Sequence, residues 1–135
     1  MNHSIQTLML REHGKINLLL INIKNSNSEE FNKFKWVLEK HIFIEEKVIF
    51  DIYNNSSDEE IEELNQLVKD HKDMLWLISE IEDNTEVDEN ISKLKETLKN
   101  HSNFEDEIFY PRLDDELDEE KKKLIVERCT EIIRE

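Results

Sequence analysis

Apolar residues recur every three or four positions along four long segments of the chain, the spacing of one face of an α-helix. The pattern predicts helices over about residues 4–25 and 28–54, a third after the stretch NNSSDEE and a fourth after EDNTEVDEN. Ser57 and Glu60 have the spacing of a capping box at the start of the third helix. Pro111 should end the fourth helix, because proline cannot continue the helical hydrogen-bond ladder. A shorter closing helix is predicted over about residues 118–134.

Short links between long amphipathic helices make neighbouring helices antiparallel. The predicted fold is therefore all-α, an up-down-up-down four-helix bundle with a short fifth helix at the C-terminal end. We expect residues 1–135 to form a single domain, since this length suffices for one hydrophobic core. The residues expected to face that core are Ile5, Met9, Ile16, Leu20, Ile23, Phe31, Phe34, Leu38, Val48, Ile52, Ile61, Leu64, Val68, Leu75, Ile78, Ile91, Leu94, Leu98, Ile108, Leu124, Ile125, Cys129, Ile132 and Ile133.

The composition fits a helical protein and restricts its partners. One glycine and one proline leave few turn-forming positions, and a net charge of −15 repels phosphate groups and anionic lipid. We therefore expect no nucleic acid and no membrane among its partners. The chain has no run of about eighteen apolar residues, and its start lacks the features of a signal peptide. Its single cysteine, Cys129, excludes an intrachain disulfide and a Cys-rich zinc site, and fits a cytoplasmic location.

A histidine interrupts the apolar stripe of each long helix, and two of these histidines are followed four residues later by a glutamate. Successive histidines are 28, 30 and 30 residues apart, and each predicted loop lies near the middle of the interval. Folding back at each loop therefore returns every imidazole to the height of the one before it, within about 3 Å at a rise of about 1.5 Å per residue. We expect one buried layer of six polar side chains, formed by His13, His41, Glu45, His71, His101 and Glu105.

Such a layer needs a partner, because each unpaired buried carboxylate costs on the order of several kcal/mol. A His–Glu hydrogen-bond network without metal is one alternative, but four histidines at matched height favour a metal site. The segment REHGKINLLL parallels KDHKDMLWLI, and the two His-x-x-x-Glu segments parallel each other. This repeat indicates a pair of metal ions, with two histidines and one glutamate from each half. Mixed nitrogen and oxygen ligands suit dinuclear iron or manganese better than one tetrahedral zinc ion.

These residues resemble the hemerythrin-like (HHE) cation-binding domains. The resemblance extends from His13 to Leu113, and we expect it to include the closing helix. It rests on the four histidines, the two His-x-x-x-Glu pairs and the ending Phe109-Tyr110-Pro111. It implies a non-haem di-iron centre, with two iron ions (Fe2+/Fe3+) joined by an oxo or hydroxo bridge, and manganese or zinc as substitutes. The two glutamates would be bridging ligands and the four histidines terminal ligands.

The chain differs from the oxygen-carrying hemerythrins in two respects. The carriers place a second histidine one turn after the third-helix ligand, where this chain has Leu75, and they end with His-x-x-x-x-Asp, where it has His101-x-x-x-Glu105. Two six-coordinate irons have about twelve ligand positions, of which the predicted residues and the bridge occupy about ten. Two positions would stay open, unless Glu12 or Glu46 fills one.

The open positions on the metal ions predict a protein that binds oxygen, nitric oxide or peroxide as a sensor, scavenger or store. We expect it to act in the cytoplasm. We expect the ligand pocket to be lined by Leu75, Ile16 and Ile108. Three alternatives remain: an iron donor or repair protein for iron–sulfur clusters, an enzyme that disproportionates peroxide, and a regulatory module whose closing helix docks a protein partner. A homodimer is compatible with each of them.

Other residues are expected to have supporting roles. Trp36 and Trp76 should serve in packing, and Tyr53 and Tyr110 should pack at helix ends, although either tyrosine could line the pocket. The acidic residues beside the predicted ligands should be solvated or contact the ligands from outside; they are Glu12, Glu46 and Asp106.

Overall fold

The computed structural model describes residues 4–23, 29–55 and 62–134. Its elements are α1 (Ser4–Ile21), α2 (Glu29–Ile44), α3 (Phe50–Asn55), α4 (Glu62–Glu82), α5 (Val87–Phe104), α6 (Tyr110–Glu116) and α7 (Glu119–Arg134). Two π-helical turns, Glu45–Ile49 and Glu105–Phe109, join α2 to α3 and α5 to α6. The chain thus forms four rods, with α7 packed against α1 and α2, and the predicted helical bundle is confirmed. Within these ranges, no helix has the length and apolar content needed to cross a membrane.

Two apolar clusters lie on opposite sides of the histidine layer. One contains residues that precede His13 and His71 and residues that follow His41 and His101, such as Met9. The other cluster contains the residues on the opposite side of each histidine. Residues before the histidine and residues after it thus alternate between the two clusters from one rod to the next. Antiparallel rods require this alternation when their histidines lie at one height, so the predicted alignment of the rods is confirmed. The six polar side chains are enclosed above and below by hydrocarbon.

Most predicted core positions within the described ranges are buried, four are partly buried (Ile52, Val68, Ile132 and Ile133), and three are exposed: Leu75 (37%), Ile108 (46%) and Leu124 (38%). The prediction for Ile108 is wrong because the π-helical turn contains one extra residue, which turns Phe109 to the interior instead. On α4 the neighbouring Met74 is buried in place of Leu75, and on α7 the predicted Ile125 and Cys129 are buried whereas Leu124 is not. The predicted capping box and Ile61 lie outside the described residues.

Pro111 does not end the fourth rod, contrary to the prediction. It lies in the first turn of α6, and the helix continues to Glu116. The π-helical turn explains this, because its hydrogen bonds run between residues five apart, as from the N–H of Tyr110 to the carbonyl of Glu105. In that register the partner of residue 111 would be the carbonyl of Asp106. That carbonyl instead accepts a hydrogen bond from Nε2 of Gln6 at 3.1 Å, so the missing N–H leaves no buried oxygen unpaired.

A buried carboxylate ties the start of α1 to the fourth rod. Oδ1 and Oδ2 of Asp114 accept hydrogen bonds from the backbone N–H groups of Ile5 (3.1 Å) and Gln6 (3.0 Å). These are first-turn N–H groups that have no partner within their own helix. Nζ of Lys122 donates to the carbonyl of Asp114 at 2.8 Å, so one residue connects α1, α6 and α7.

Candidate metal centre

The six predicted side chains meet in one layer, and each is at most 4% exposed. His13 lies in the middle of α1 and His71 in the middle of α4, whereas His41 and His101 lie in the last turns of α2 and α5. The two glutamates are the first residues of the two π-helical turns. Such turns occur frequently at functional sites because the extra residue changes which side chains face inward. Both His-x-x-x-Glu segments have the same local structure, as their sequence likeness suggests.

The ligand atoms form two groups of three, each with its atoms within 4.8 Å of one another. The first triad consists of His13, His41 and Glu105, and the second triad consists of Glu45, His71 and His101. Each triad therefore takes two histidines from one half of the sequence repeat and its glutamate from the other half. The repeat predicted the number of ligands in each half but not this exchange of glutamates.

Both glutamates also reach across to the neighbouring triad. Oε1 of Glu45 lies 3.1 Å from Nε2 of His71 and 3.0 Å from Nε2 of His41. Oε1 of Glu105 lies 3.2 Å from the Nε2 atoms of both His13 and His101. Each carboxylate is thus placed between one histidine of its own half and one of the other, which suits a bridging ligand.

Close approach does not make these atoms hydrogen-bond partners. Nε2 of His13, His41 and His101 and Oε1 of Glu105 are buried, and none forms a hydrogen bond with a described residue. These atoms lie 3.0–3.2 Å from their neighbours without the geometry of a hydrogen bond, whereas Nε2 of His71 is hydrogen-bonded to Oε1 of Glu45 at 3.1 Å. Buried polar atoms are nearly always satisfied, and unpaired nitrogen and oxygen atoms gathered within 4.8 Å of one another are what a bound cation would satisfy. The residues therefore fit a metal pair.

The outer ring nitrogens of three histidines contact carboxylates. Nδ1 of His13 lies 2.8 Å from Oδ1 of Asp106, and Nδ1 of His71 lies 2.7 Å from Oε2 of Glu46. Nδ1 of His101 lies 3.0 Å from Oδ2 of Asp70. A carboxylate at Nδ1 keeps the proton there, which turns the Nε2 lone pair to the centre and strengthens it as a ligand.

The charges in the layer shift the pKa values of its members in the metal-free protein. Burial acts to lower the pKa of His13, but Asp106 and Glu105 outweigh it and raise the pKa to about 10. Burial opposes Glu105 and Glu45 in the same way at His101, whose pKa is raised to about 11. Burial acts to raise the pKa of Glu45, but His41 and its other neighbours lower it well below the usual range. Protons on the imidazoles thus balance the carboxylates where cations would otherwise do so.

Tyr110 has a more specific position than helix-end packing. It is fully buried, and its hydroxyl contacts Oε2 of both Glu45 and Glu105, the latter at 3.1 Å. Burial and the two carboxylates raise the pKa of Tyr110 well above its ordinary value, so the hydroxyl keeps its proton. The helix-end prediction is right for Tyr53, which packs on Phe109 and donates to Glu116 at 2.6 Å.

Several predictions about the surroundings of the site are wrong. Leu75 and Ile108 are too exposed to line an enclosed pocket, and only Ile16 of the three predicted lining residues is buried. Trp36 and Trp76 are 62% and 59% exposed, so neither packs in the interior. Asp106 stands five residues after His101, the spacing of the carriers' aspartate, yet it contacts His13 while Glu105 faces the centre.

Asp70 is a functional candidate that the sequence reasoning missed. The sequence did contain a clue, because Asp70 is acidic and directly precedes His71. Adjacent residues on a helix point in different directions, however, so Asp70 was not expected to contact His71 or the centre. Here the direction of Asp70 leads to His101 on the neighbouring rod. Asp70 and His101 also border a surface cleft of about 500 Å³ between α4 and α5, whose other lining residues are Glu63, Gln66, Leu67, Asp73, Thr97, Asn100 and Phe104.

Comparison with known families agrees with this geometry. The family model described as "Hemerythrin HHE cation binding domain" matches residues 4–113, which include all six side chains of the buried layer. No curated protein and no solved structure matches the chain. The matched region covers four-fifths of the sequence and nearly all of the four-rod bundle, and the chain therefore belongs to the hemerythrin HHE cation-binding family.

Proposed function

We propose that this domain binds two iron ions through the first and second triads, and that the metal pair binds oxygen, nitric oxide or peroxide. The observation that carries the proposal is the set of buried, unpaired nitrogen and oxygen atoms at the centre. A hydrogen-bond network without metal should pair them as Nε2 of His71 is paired with Oε1 of Glu45. Three imidazoles already have a carboxylate at Nδ1 and offer Nε2 inward, as metal-binding histidines do.

The donor set favours iron among the metals. Four imidazole nitrogens and two carboxylates exceed the four ligands of a zinc ion, and carboxylates shared between two triads suit a dinuclear iron or manganese pair. Iron would supply a redox-active centre to which a small diatomic molecule or peroxide binds. The apolar clusters above and below the layer cover it with hydrocarbon, which favours a small ligand of low polarity.

The chain's own residues have separable tasks around such a ligand. Tyr110 holds a proton on its hydroxyl above the two carboxylates, where it donates a hydrogen bond to an Oε2 atom. The carboxylates at Nδ1 keep three imidazoles in the tautomer that can bind metal. Holding a proton at Tyr110 and orienting the imidazoles are sufficient for a sensor, scavenger or short-term store, because such a protein needs only to bind its ligand.

Metal analysis followed by optical titration tests the proposal. Protein purified without air and loaded with ferrous iron should hold two iron ions per chain. Addition of oxygen or nitric oxide should produce new charge-transfer absorption in the visible region. His101→Ala should lower the iron content, whereas His3→Ala, at the histidine outside the predicted set, should leave it unchanged. Two bound irons with no spectral response would reject ligand binding, and fewer than one iron per chain would reject the centre itself.

Iron delivery is a second candidate, favoured by the cleft beside the second triad. Acidic side chains line this cleft and His101 borders it, which gives a cation a short route to the protein surface. The test is the transfer of iron from the loaded protein to an apo iron–sulfur protein. Transfer slower than spontaneous release into a chelator would count against donation. We further propose that the protein acts in the cytoplasm, consistent with one fully buried thiol.

A further inference from the structure

His41 is the exception among the four histidines. Its Nδ1 atom is buried and forms no hydrogen bond with any described residue, whereas Nδ1 of each of the other three contacts a carboxylate. A buried donor without a partner has a cost of about 1–3 kcal/mol, so the unpaired atom calls for an explanation.

The three existing pairs follow the sequence repeat. Asp106 and Glu46 each directly follow the inward glutamate of one half, and each contacts a histidine of the other half. The third carboxylate, Asp70, directly precedes His71 and contacts His101, the next histidine along the chain. In the repeat, REHGKINLLL is the counterpart of KDHKDMLWLI, so Glu12 occupies the position of Asp70. The missing partner of His41 is therefore expected at Glu12.

Glu12 has the burial that this position demands. Only 7% of the residue is exposed, which is unusual for a glutamate. Oε2 lies 2.9 Å from Nζ of Lys15, a surface side chain one turn along the same helix. A carboxylate has two oxygens with about four lone-pair positions, so this ion pair leaves Oε1 available to a second donor.

We propose that Glu12 is the positioning residue of His41. When the first triad holds a metal ion, Oε1 of Glu12 accepts a hydrogen bond from Nδ1–H of His41, which completes a set of four carboxylate–histidine pairs. Metal bound at Nε2 favours this contact, because it places the remaining ring proton on Nδ1 and makes that N–H a stronger donor. The inference rests on the proposed two-metal centre.

Three variants separate this role from others. Glu12→Gln removes the charge, Asp70→Asn does the same at the counterpart position, and Lys15→Met removes only the surface ion pair of Glu12. Histidine side-chain 1H–15N spectra of the zinc-loaded protein report each Nδ1 proton. We expect four protected, strongly downfield Nδ1 protons in the wild type, with that of His41 shifted upfield or lost in Glu12→Gln. Lys15→Met should retain all four.

Iron release into a chelator gives a second measurement. Loss of a carboxylate behind a metal-binding histidine typically weakens metal affinity about 10- to 100-fold. Glu12→Gln should therefore accelerate release of one iron by a factor in that range, and Asp70→Asn should accelerate release of the other. Glu12→Asp should stay closer to the wild type than Glu12→Gln, since two of the three existing partners are aspartates. If zinc fills only one position, these release rates decide alone.

The outcomes distinguish this inference from the function on which it rests. Wild-type protein that does not bind two irons would refute the centre. Two irons in the wild type, with release accelerated in Asp70→Asn but unchanged in Glu12→Gln, would overturn the role of Glu12 alone. An equal acceleration in Glu12→Gln and Lys15→Met would also overturn it, because the ion pair would then explain the effect.

Discussion

The two triads have the same ligand types but different surroundings. α7 packs over the rods that carry His13 and His41, where Lys40 donates to the carbonyl of Ile133 at 3.1 Å. α7 also contacts the π-helical turn that carries Glu45 of the second triad, but His101 of that triad borders the cleft between α4 and α5. A ligand set repeated in sequence thus produces two equally buried positions with different neighbours, of which only the second has a histidine beside this cleft. We expect the second triad to exchange metal and water faster than the first.

The aromatic neighbours of the triads differ in the same way. Phe50 and Tyr110 occupy corresponding places, nine residues after His41 and His101. Phe50 stacks on His71 with ring centroids 5.9 Å apart, and Tyr110 lies 6.1 Å from His13. Only the tyrosine brings a hydroxyl to the carboxylates. The centre is therefore polar on one side and apolar on the other, although its ligands are arranged nearly symmetrically.

The largest expected effect is that of pH on metal affinity, and it should be similar in both triads. His13 and His101, one in each triad, have pKa values of about 10 and about 11, so both are protonated at neutral pH without metal. Metal binds the neutral imidazole and must displace these protons. Affinity should then rise about tenfold per pH unit for each displaced proton, from pH 6 to 9. Calorimetric titration in buffers of different ionisation enthalpy counts the protons released when metal binds. A metal affinity that does not change with pH would contradict the raised pKa values of the two histidines.

Removing the cover of the first triad should give the next largest effect. Ile125 of α7 is fully buried against the cluster that includes Ile5 and Met9. Ile125→Ala should lower the free energy of unfolding by about 2–5 kcal/mol through the lost contacts and the cavity. It should also speed iron release from the first triad towards the rate of the second. Leu124→Ala, at the exposed neighbouring position, is the control and should change stability by less than about 0.5 kcal/mol.

Making the two aromatic positions alike tests the tyrosine hydroxyl. Tyr110→Phe leaves two buried carboxylate oxygens without their donor, and the metal-free protein should lose about 1–3 kcal/mol of stability. Denaturant unfolding measures the loss. Tyr53→Phe removes a hydroxyl whose partner Glu116 lies at the surface, so a loss as large as that in Tyr110→Phe would argue against a specific role at the centre.

The smallest expected effect concerns the residues that follow His13 and His71. These corresponding residues are Gly14 in the first half and Lys72 in the second. Gly14 lies within α1, and a Cβ atom added to it would meet no atom within 4 Å. Gly14→Ala should therefore stabilise the protein by about 1 kcal/mol, since alanine loses less conformational entropy in a helix. Thermal unfolding of the metal-free protein provides the measurement. Destabilisation would mean that the position needs a glycine for a reason other than space.

Prediction from sequence succeeded where it depended on spacing along a helix. The positions of His13, His41, His71 and His101 at one height followed from equal intervals and short loops, because helical rise is constant. The predictions that failed depended on the direction of a side chain around the helix axis. At Ile108 the π-helical turn changed that direction, and at Pro111 it allowed the rod to continue.

Periodicity and spacing were therefore enough to establish the bundle, its buried polar layer and the six side chains within it. The exchange of glutamates between the triads, the carboxylates behind the histidines and the placement of Tyr110 arose only when the rods packed together. The physical reason is that these contacts join residues up to 93 positions apart, as between His13 and Asp106. Their formation depends on how neighbouring rods are rotated about their axes and on the two π-helical turns. The periodicity of apolar residues predicts neither of these features.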